Sequence, residues 1–210
     1  MREKSRRRAV RKKSSILIIT GLLLIAAALS LTIFNLYDEY RAEQSVNQIL
    51  SRMAPQEDTL LEGEIPDYLL NPAMEMPVET IDGRDYIGTL QIPSLDLKLP
   101  VLSSWNYPNL RVAPCRYTGS AYQGNLIIAA HNYPSHFGNL KHLQEGETVL
   151  FTDADGNRFT YQVVVRETLE PTAIDEMESE EDGAWDLTLF TCTIGGQSRV
   201  TVRCVQVENS

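Results

Sequence analysis

Two hydrophobic rhythms divide this chain. Residues 16–34, ILIITGLLLIAAALSLTIF, are almost wholly apolar, and no charge falls between Ser14 and Tyr37. At 1.5 Å of rise per residue, a helix over this run crosses a hydrocarbon core of about 30 Å. A second helix pattern follows over residues 36–53, where Val46, Ile49, Leu50 and Met53 fall at i, i+3, i+4, i+7 among polar neighbours. Residues 54–82 then lose all periodicity. From Tyr86 onward the rhythm is that of short strands, at 86–92, 97–102, 125–130, 148–152 and 158–166, with Pro93, Pro100, Pro108, Pro114 and Pro134 marking the connections.

The last run, 186–207, reads DLTLFTCTIGGQSRVTVRCVQV. Leu187, Leu189 and Thr191 alternate with Thr188, Phe190 and Cys192, and after Gly195 and Gly196 the residues Val200, Val202 and Cys204 alternate with Arg199, Thr201 and Arg203. The pattern predicts a strand, a short glycine turn and a second strand. No long amphipathic helix interrupts the series, so an antiparallel barrel or sandwich is expected.

Charge refines this picture at both ends. Of 19 basic and 28 acidic residues, eight basic residues and one acid lie in the first thirteen positions, leaving 11 basic against 27 acidic residues beyond them. A basic flank before an apolar span and acids Asp38 and Glu39 after it put the N-terminus in the cytoplasm and the remainder outside. A cleaved signal peptide is the competing reading. Its apolar region is normally shorter and ends at small residues, whereas here Ala26 to Ala28 sit in mid-run. The acidic balance of the outer part argues against nucleic acid as a partner. Residues 54–82 carry seven acids and no basic residue before Asp82, broken by Pro55, Pro66, Pro72 and Pro77. That composition suits a stalk, with a lid over the domain as the alternative.

Chemistry enters with the cysteines and histidines. Cys115, Cys192 and Cys204 form an odd set for an outside compartment, either one pair with a free thiol or three free thiols. Cys204 follows the apolar alternation and reads as core; Cys115 is core or pairs with it. Cys192 stands at the mouth of a strand with Arg199 opening the next, a thiol beside an always-charged five-donor fork. Buried structural cysteine is the plainer reading of such a position. His131 ends the apolar run 125–130 and is expected on a rim, where a second strand-end group can meet it. His136 and His142 lie in polar sequence and are expected at the surface. No zinc spacing is present. The turn Asp153-Ala154-Asp155-Gly156-Asn157 opens like a calcium loop but has Arg158 and Val164 where glycine and glutamate are required, so a hairpin turn explains it better. The acids Glu176, Glu178, Glu180, Glu181 and Asp182 read as a solvated loop.

Together these residues resemble a known family. TLFTC at 188–192 with Arg199 seven residues on resembles the TLxTC…R signature of sortases, AHNYPSHFGNL at 130–140 resembles their catalytic-histidine segment, and IGTLQIPSLDLKLPV at 87–101 resembles their first strands. The histidine-asparagine start of the middle segment leans towards class B members; the compact final loop does not. Ala130 stands where many members have glycine, no helix is evident before the last strand pair, and a second membrane helix and an Asp-Pro lid motif are lacking, which disfavours pilin polymerisation. The resemblance implies a mostly β fold, a closed antiparallel eight-stranded barrel behind one N-terminal transmembrane helix. It implies a division into a basic cytoplasmic tail (1–14), a transmembrane helix (15–36), a helix and stalk (37–84) and a catalytic domain (85–210). It also implies a membrane-anchored cysteine transpeptidase with His131, Cys192 and Arg199 catalytic and Thr191 at the substrate, needing no cofactor and no metal. The implied partners are secreted proteins with a C-terminal, LPxTG-like sorting signal and a cell-wall amine such as a peptidoglycan precursor. An extracellular cysteine peptidase and a non-catalytic binding barrel are the competing readings.

Overall fold

The computed structural model describes residues 2–53, 65–178, 184–193 and 195–207. The chain divides into two compact units, Met1–Arg41 and Ala42–Ser210. The first is the greater part of one helix, α1 (Arg2–Leu50). Within Leu17–Leu50 it is long and apolar enough to cross a membrane by length and composition. Leu17, Leu22, Leu29 and Phe34 stand exposed on it, an outward apolar surface that hydrocarbon solvates and water does not.

Among its described residues the second unit has nine strands: β1 (Glu79–Ile81), β2 (Arg84–Ile92), β3 (Leu97–Leu102), β4 (Cys115–Thr118), β5 (Leu126–Ala130), β6 (Thr148–Asp153), β7 (Arg158–Leu169), β8 (Leu187–Cys192) and β9 (Arg199–Val207). Eight of them close a ring in the order β2-β3-β4-β5-β8-β9-β7-β6, and the β2–β6 pairing seals it. The fold is the expected mostly β, closed eight-stranded barrel. Six of its eight junctions are antiparallel; β3–β4 and β5–β8 run parallel. Gly88 makes the seal possible. A Cβ there would lie 2.0 Å from the Thr152 carbonyl oxygen, and its φ of +149° suits glycine.

Alternation along each strand sends apolar side chains inward, as Leu90, Leu99, Ile128, Phe151, Val163, Leu189 and Val202 show, all 1% exposed or less. Cys204 joins this interior, and Cys115 is buried in a second cluster with Tyr86, Leu102 and Phe190. All three cysteines are free thiols. The last turns of α1 bury Val46 and Ile49, and Met53 follows just beyond its end, as the helical spacing predicts.

Three features depart from expectation. Residues 54–64 lie outside the described residues, but from Ile65 on the supposed stalk is part of the folded unit. In α2 (Asp67–Leu70), Tyr68 stacks on Tyr122 at 4.6 Å and meets Phe159 at 5.3 Å, while Met76 and Ile81 are buried. Acids and prolines set the average of that stretch, but these few apolar side chains decide where it goes, since burying each contributes roughly 1.5–3 kcal/mol. β1 then hairpins onto β2 through Asp82-Gly83, both at positive φ (51° and 72°), a two-residue turn matched to strand twist. Finally, besides α3 (Tyr107–Leu110) in the β3–β4 connection, a helix does precede the last strand pair: α4 (Ile174–Glu178), in the β7–β8 connection.

Candidate active site

β5 is buried along all five residues because Leu126, Ile128 and Ala130 join one core cluster and the alternate Ile127 and Ala129 join a second. Its run stops at Ala130, and His131 follows at the rim, half-buried. The chain folds back at once: Phe137 N donates to the His131 carbonyl at 3.1 Å, His136 N and Gly138 N donate to the Tyr133 carbonyl at 2.9 and 2.8 Å, and the His131 and Tyr133 rings lie 4.9 Å apart.

β8 pairs with β5 in parallel register, Ala130 opposite Thr191. One residue further along are His131, just past β5, and Cys192, the last residue of β8. Adjacent strands run about 4.8 Å apart, so the ladder itself brings the imidazole and thiol to one rim. The Thr191 hydroxyl donates to the Ala130 carbonyl at 2.8 Å and locks that rung. Thr191, expected at the substrate, is 3% exposed, and its hydroxyl proton is already committed to this bond. It braces the site from the floor of the groove.

Across the other edge of β8, Cys192 is the register partner of Arg199. The turn between them is tied by Thr193 N to the Ser198 carbonyl (2.9 Å) and Gly196 N to the Thr193 carbonyl (2.8 Å). Arg199 Nη1 donates back to the carbonyls of Gly196 and Ser198 at 3.3 and 3.2 Å. Two ladders, one parallel and one antiparallel, thus converge His131, Cys192 and Arg199.

Those three residues end a groove of about 260 Å³. Its floor is Ala129, Phe190 and Thr191; one wall carries Trp105, Tyr107 and Leu110 from the β3–β4 connection together with Tyr117; the other carries Pro171, Ile174 and Met177. The aromatic wall is continuous: Tyr107 meets Trp105 at 5.6 Å, Trp105 meets Tyr117 at 5.8 Å, and Tyr117 stands edge-on to Phe190 at 5.4 Å. Burial raises the Tyr117 hydroxyl's pKa, and the Glu178 carboxylate hydrogen-bonded to it pushes the same way.

Of the three thiols only Cys192 is exposed. Burial pushes Cys115 and Cys204 up to about 12, so both are held protonated and unreactive. His142 is exposed as expected, but His136 is fully buried. Desolvation, then the nearby His131, lowers His136 to about 4. Its polar sequence neighbours concealed a position packed behind the His131 loop, with Tyr133 at 5.6 Å. Among the described residues no cluster of three or more His, Cys, Asp or Glu has metal-binding form. Asp153 instead organises its own turn, accepting from the backbone of Asp155 and Asn157 at 3.0 and 2.9 Å. Sequence reasoning missed Arg203, which is 1% exposed although it sits in the polar phase of β9, and the aromatic wall, whose Trp105 and Tyr107 lie in a connection without periodicity and whose Tyr117 lies on the four-residue β4.

A family model described as "Sortase domain" matches residues 90–207. A Sortase A of Bacillus anthracis is 28% identical over 165 residues, 74% of this chain and 77% of its own length. Among solved structures, a Clostridium perfringens Sortase D5 transpeptidase superposes with a TM-score of 0.55 at 18% identity, covering 80% of this chain and 99% of that one. A lid mutant of Sortase A from Corynebacterium diphtheriae gives 0.53 at 19% identity, covering 82% and 95%. At such identities the structural likeness is one of fold alone.

Proposed function

We propose, for a chain that belongs to the sortase family of cysteine transpeptidases, that Cys192 is the nucleophile, His131 the proton carrier and Arg199 the oxyanion donor of a surface-protein anchoring enzyme. The observation that carries this reading is the double register: Thr191 opposite Ala130 and Cys192 opposite Arg199, with all three groups ending one groove.

In this reading the Cys192 thiolate attacks a backbone carbonyl of a peptide lying along the groove. The carbonyl oxygen takes the negative charge and is held by the Arg199 guanidinium. The C–N bond breaks as His131 gives its proton to the departing amine, leaving a thioester on Cys192. An incoming amine loses its proton to His131, attacks the thioester carbon and displaces the thiolate. Atoms and charge balance without a cofactor. The apolar and aromatic walls favour a substrate with apolar side chains ahead of the scissile bond, as in an LPxTG-like sorting signal on a secreted protein. The amine belongs to a cell-wall acceptor such as a peptidoglycan precursor. The apolar helix would anchor the enzyme once through the cell membrane, the basic tail inside and the barrel outside.

The test is incubation of the full chain with LPxTG-like and NPxTx-like peptides, with and without short amines. A transpeptidase joins the N-terminal fragment to the amine at the expense of the free acid. Hydrolysis indifferent to amine would make it a peptidase, and absence of both turnover and adduct would leave a binding barrel.

A further inference from the structure

Arg203 has no part in that chemistry, yet it is held in a densely bonded polar site. Its side chain is 2% exposed. Nε donates to Glu167 Oε1 at 3.0 Å, Nη1 to the Met177 carbonyl at 2.8 Å and to Thr188 Oγ1 at 3.1 Å, and Nη2 to the Glu176 carbonyl at 2.6 Å. The Trp185 ring covers it, 5.0 Å from Cζ. Thr188 is its register partner on β8, and Glu167 is on the neighbouring β7. The guanidinium therefore leaves the barrel wall and reaches α4.

The carbonyls it takes, those of Glu176 and Met177, lie in the last turn of α4. A helix end leaves its final carbonyls without partners within the helix, and one of only five residues has little stability of its own. A planar five-donor fork satisfies two adjacent carbonyls while remaining fixed to two strands; an ammonium on a flexible stem does not. The same short helix supplies Ile174 and Met177 to the groove wall, and Glu178 beside them holds the Tyr117 hydroxyl of the opposite wall.

We propose that Arg203 is a positioning residue for substrate binding: it clamps α4 to the barrel and so fixes the second wall of the groove, touching neither the substrate nor the reacting atoms. This rests on the transpeptidase reading for the groove's role, but not for the clamp itself.

The experiment uses the full chain in detergent micelles with Arg203→Lys and Glu167→Gln, read by steady-state kinetics on the best-cleaved peptide and by amide hydrogen exchange without substrate. Lysine keeps the charge opposite Glu167 and loses the fork. The expected result is a KM raised about tenfold with kcat within about twofold, because the wall acts on binding and not on bond breaking. Exchange should accelerate at residues 174–178 while β8 and β9 keep their protection. Glu167→Gln, at a partly exposed position, should move both readouts the same way by less, and it carries the test if Arg203→Lys fails to fold. Unchanged exchange at 174–178 in both variants would overturn the clamp, as would acceleration spread over β8 and β9. Accelerated exchange at 174–178 with unchanged KM would overturn the positioning role. Should no peptide be turned over even by the wild type, the transpeptidase reading fails, and the exchange arm alone still decides the clamp.

Discussion

His136 and Arg199 illustrate how differently a charged or chargeable side chain behaves by its surroundings. His136 is neutral when folded because burial lowers its pKa to about 4, whereas an unfolded histidine titrates near 6.5. Between those values the unfolded chain holds the extra proton. Stability therefore falls as pH drops through that window, and His136 accounts for a loss on the order of 3 kcal/mol. His136→Leu should flatten that part of the curve, measured as urea midpoint against pH; an unchanged slope from pH 6.5 to 4 would contradict it. Arg199 is expected to act on the transition state. Arg199→Ala should lower kcat by about 10²–10³, and lysine should not restore it, because the charge returns without the fork. Steady-state kinetics on both variants decides this, and a near-normal kcat in Arg199→Ala would remove it from the chemistry. At this scale the sequence was informative where position alone settles the environment. Cys192 and His131 end apolar runs, and a strand end is a rim. It failed where a side chain's fate depends on what folds over it: His136, expected at the surface, is buried beneath its own loop, and Arg203 gave no signal of its place beneath α4.

Among the elements, the strongly alternating strands were legible because one face of each had to be apolar. β1 and β4 were not, since three and four residues are too few to establish a period. The Asp82-Gly83 pair was nevertheless a readable turn signal for β1, obscured by the acids and prolines ahead of it. No local pattern distinguishes parallel from antiparallel partners, so the β5–β8 pairing that unites His131 with Cys192 is visible only in the fold. The β2–β6 seal makes its own prediction. Gly88→Ala forces a Cβ to within 2.0 Å of a backbone oxygen, while at Gly195 (φ +86°) nothing lies within 4 Å of the added atom. Gly88→Ala should cost about 3 kcal/mol and Gly195→Ala about 1, the latter from backbone strain alone. Thermal unfolding of the two variants checks the order, and equal losses would contradict the seal.

For the whole molecule, composition and charge by themselves divide the chain into a basic start, an apolar helix and an acidic remainder. Strand count and turn signals left a barrel or a sandwich open, and the family resemblance, carried by motifs spread over residues 87–199, implied the closed barrel. From Ile65 on the stretch read as a stalk belongs to the folded unit, because average composition hides the few apolar residues that dock. The apolar helix predicts that the full chain fractionates with membranes and that protease added outside cells removes the barrel. A soluble form starting near residues 28–30 would contradict the retained anchor. The central claim is that Cys192, set between His131 and Arg199 at the end of the groove, carries the acyl group from peptide to amine. Mass spectrometry of the full chain with a cleaved peptide, with and without subsequent addition of a short amine, tests it most directly. The prediction is a thioester adduct on Cys192 that disappears as the amine-joined product forms, and that is absent from Cys192→Ala. An adduct on Cys115 or Cys204, or one on Cys192 that amine fails to discharge, would contradict it.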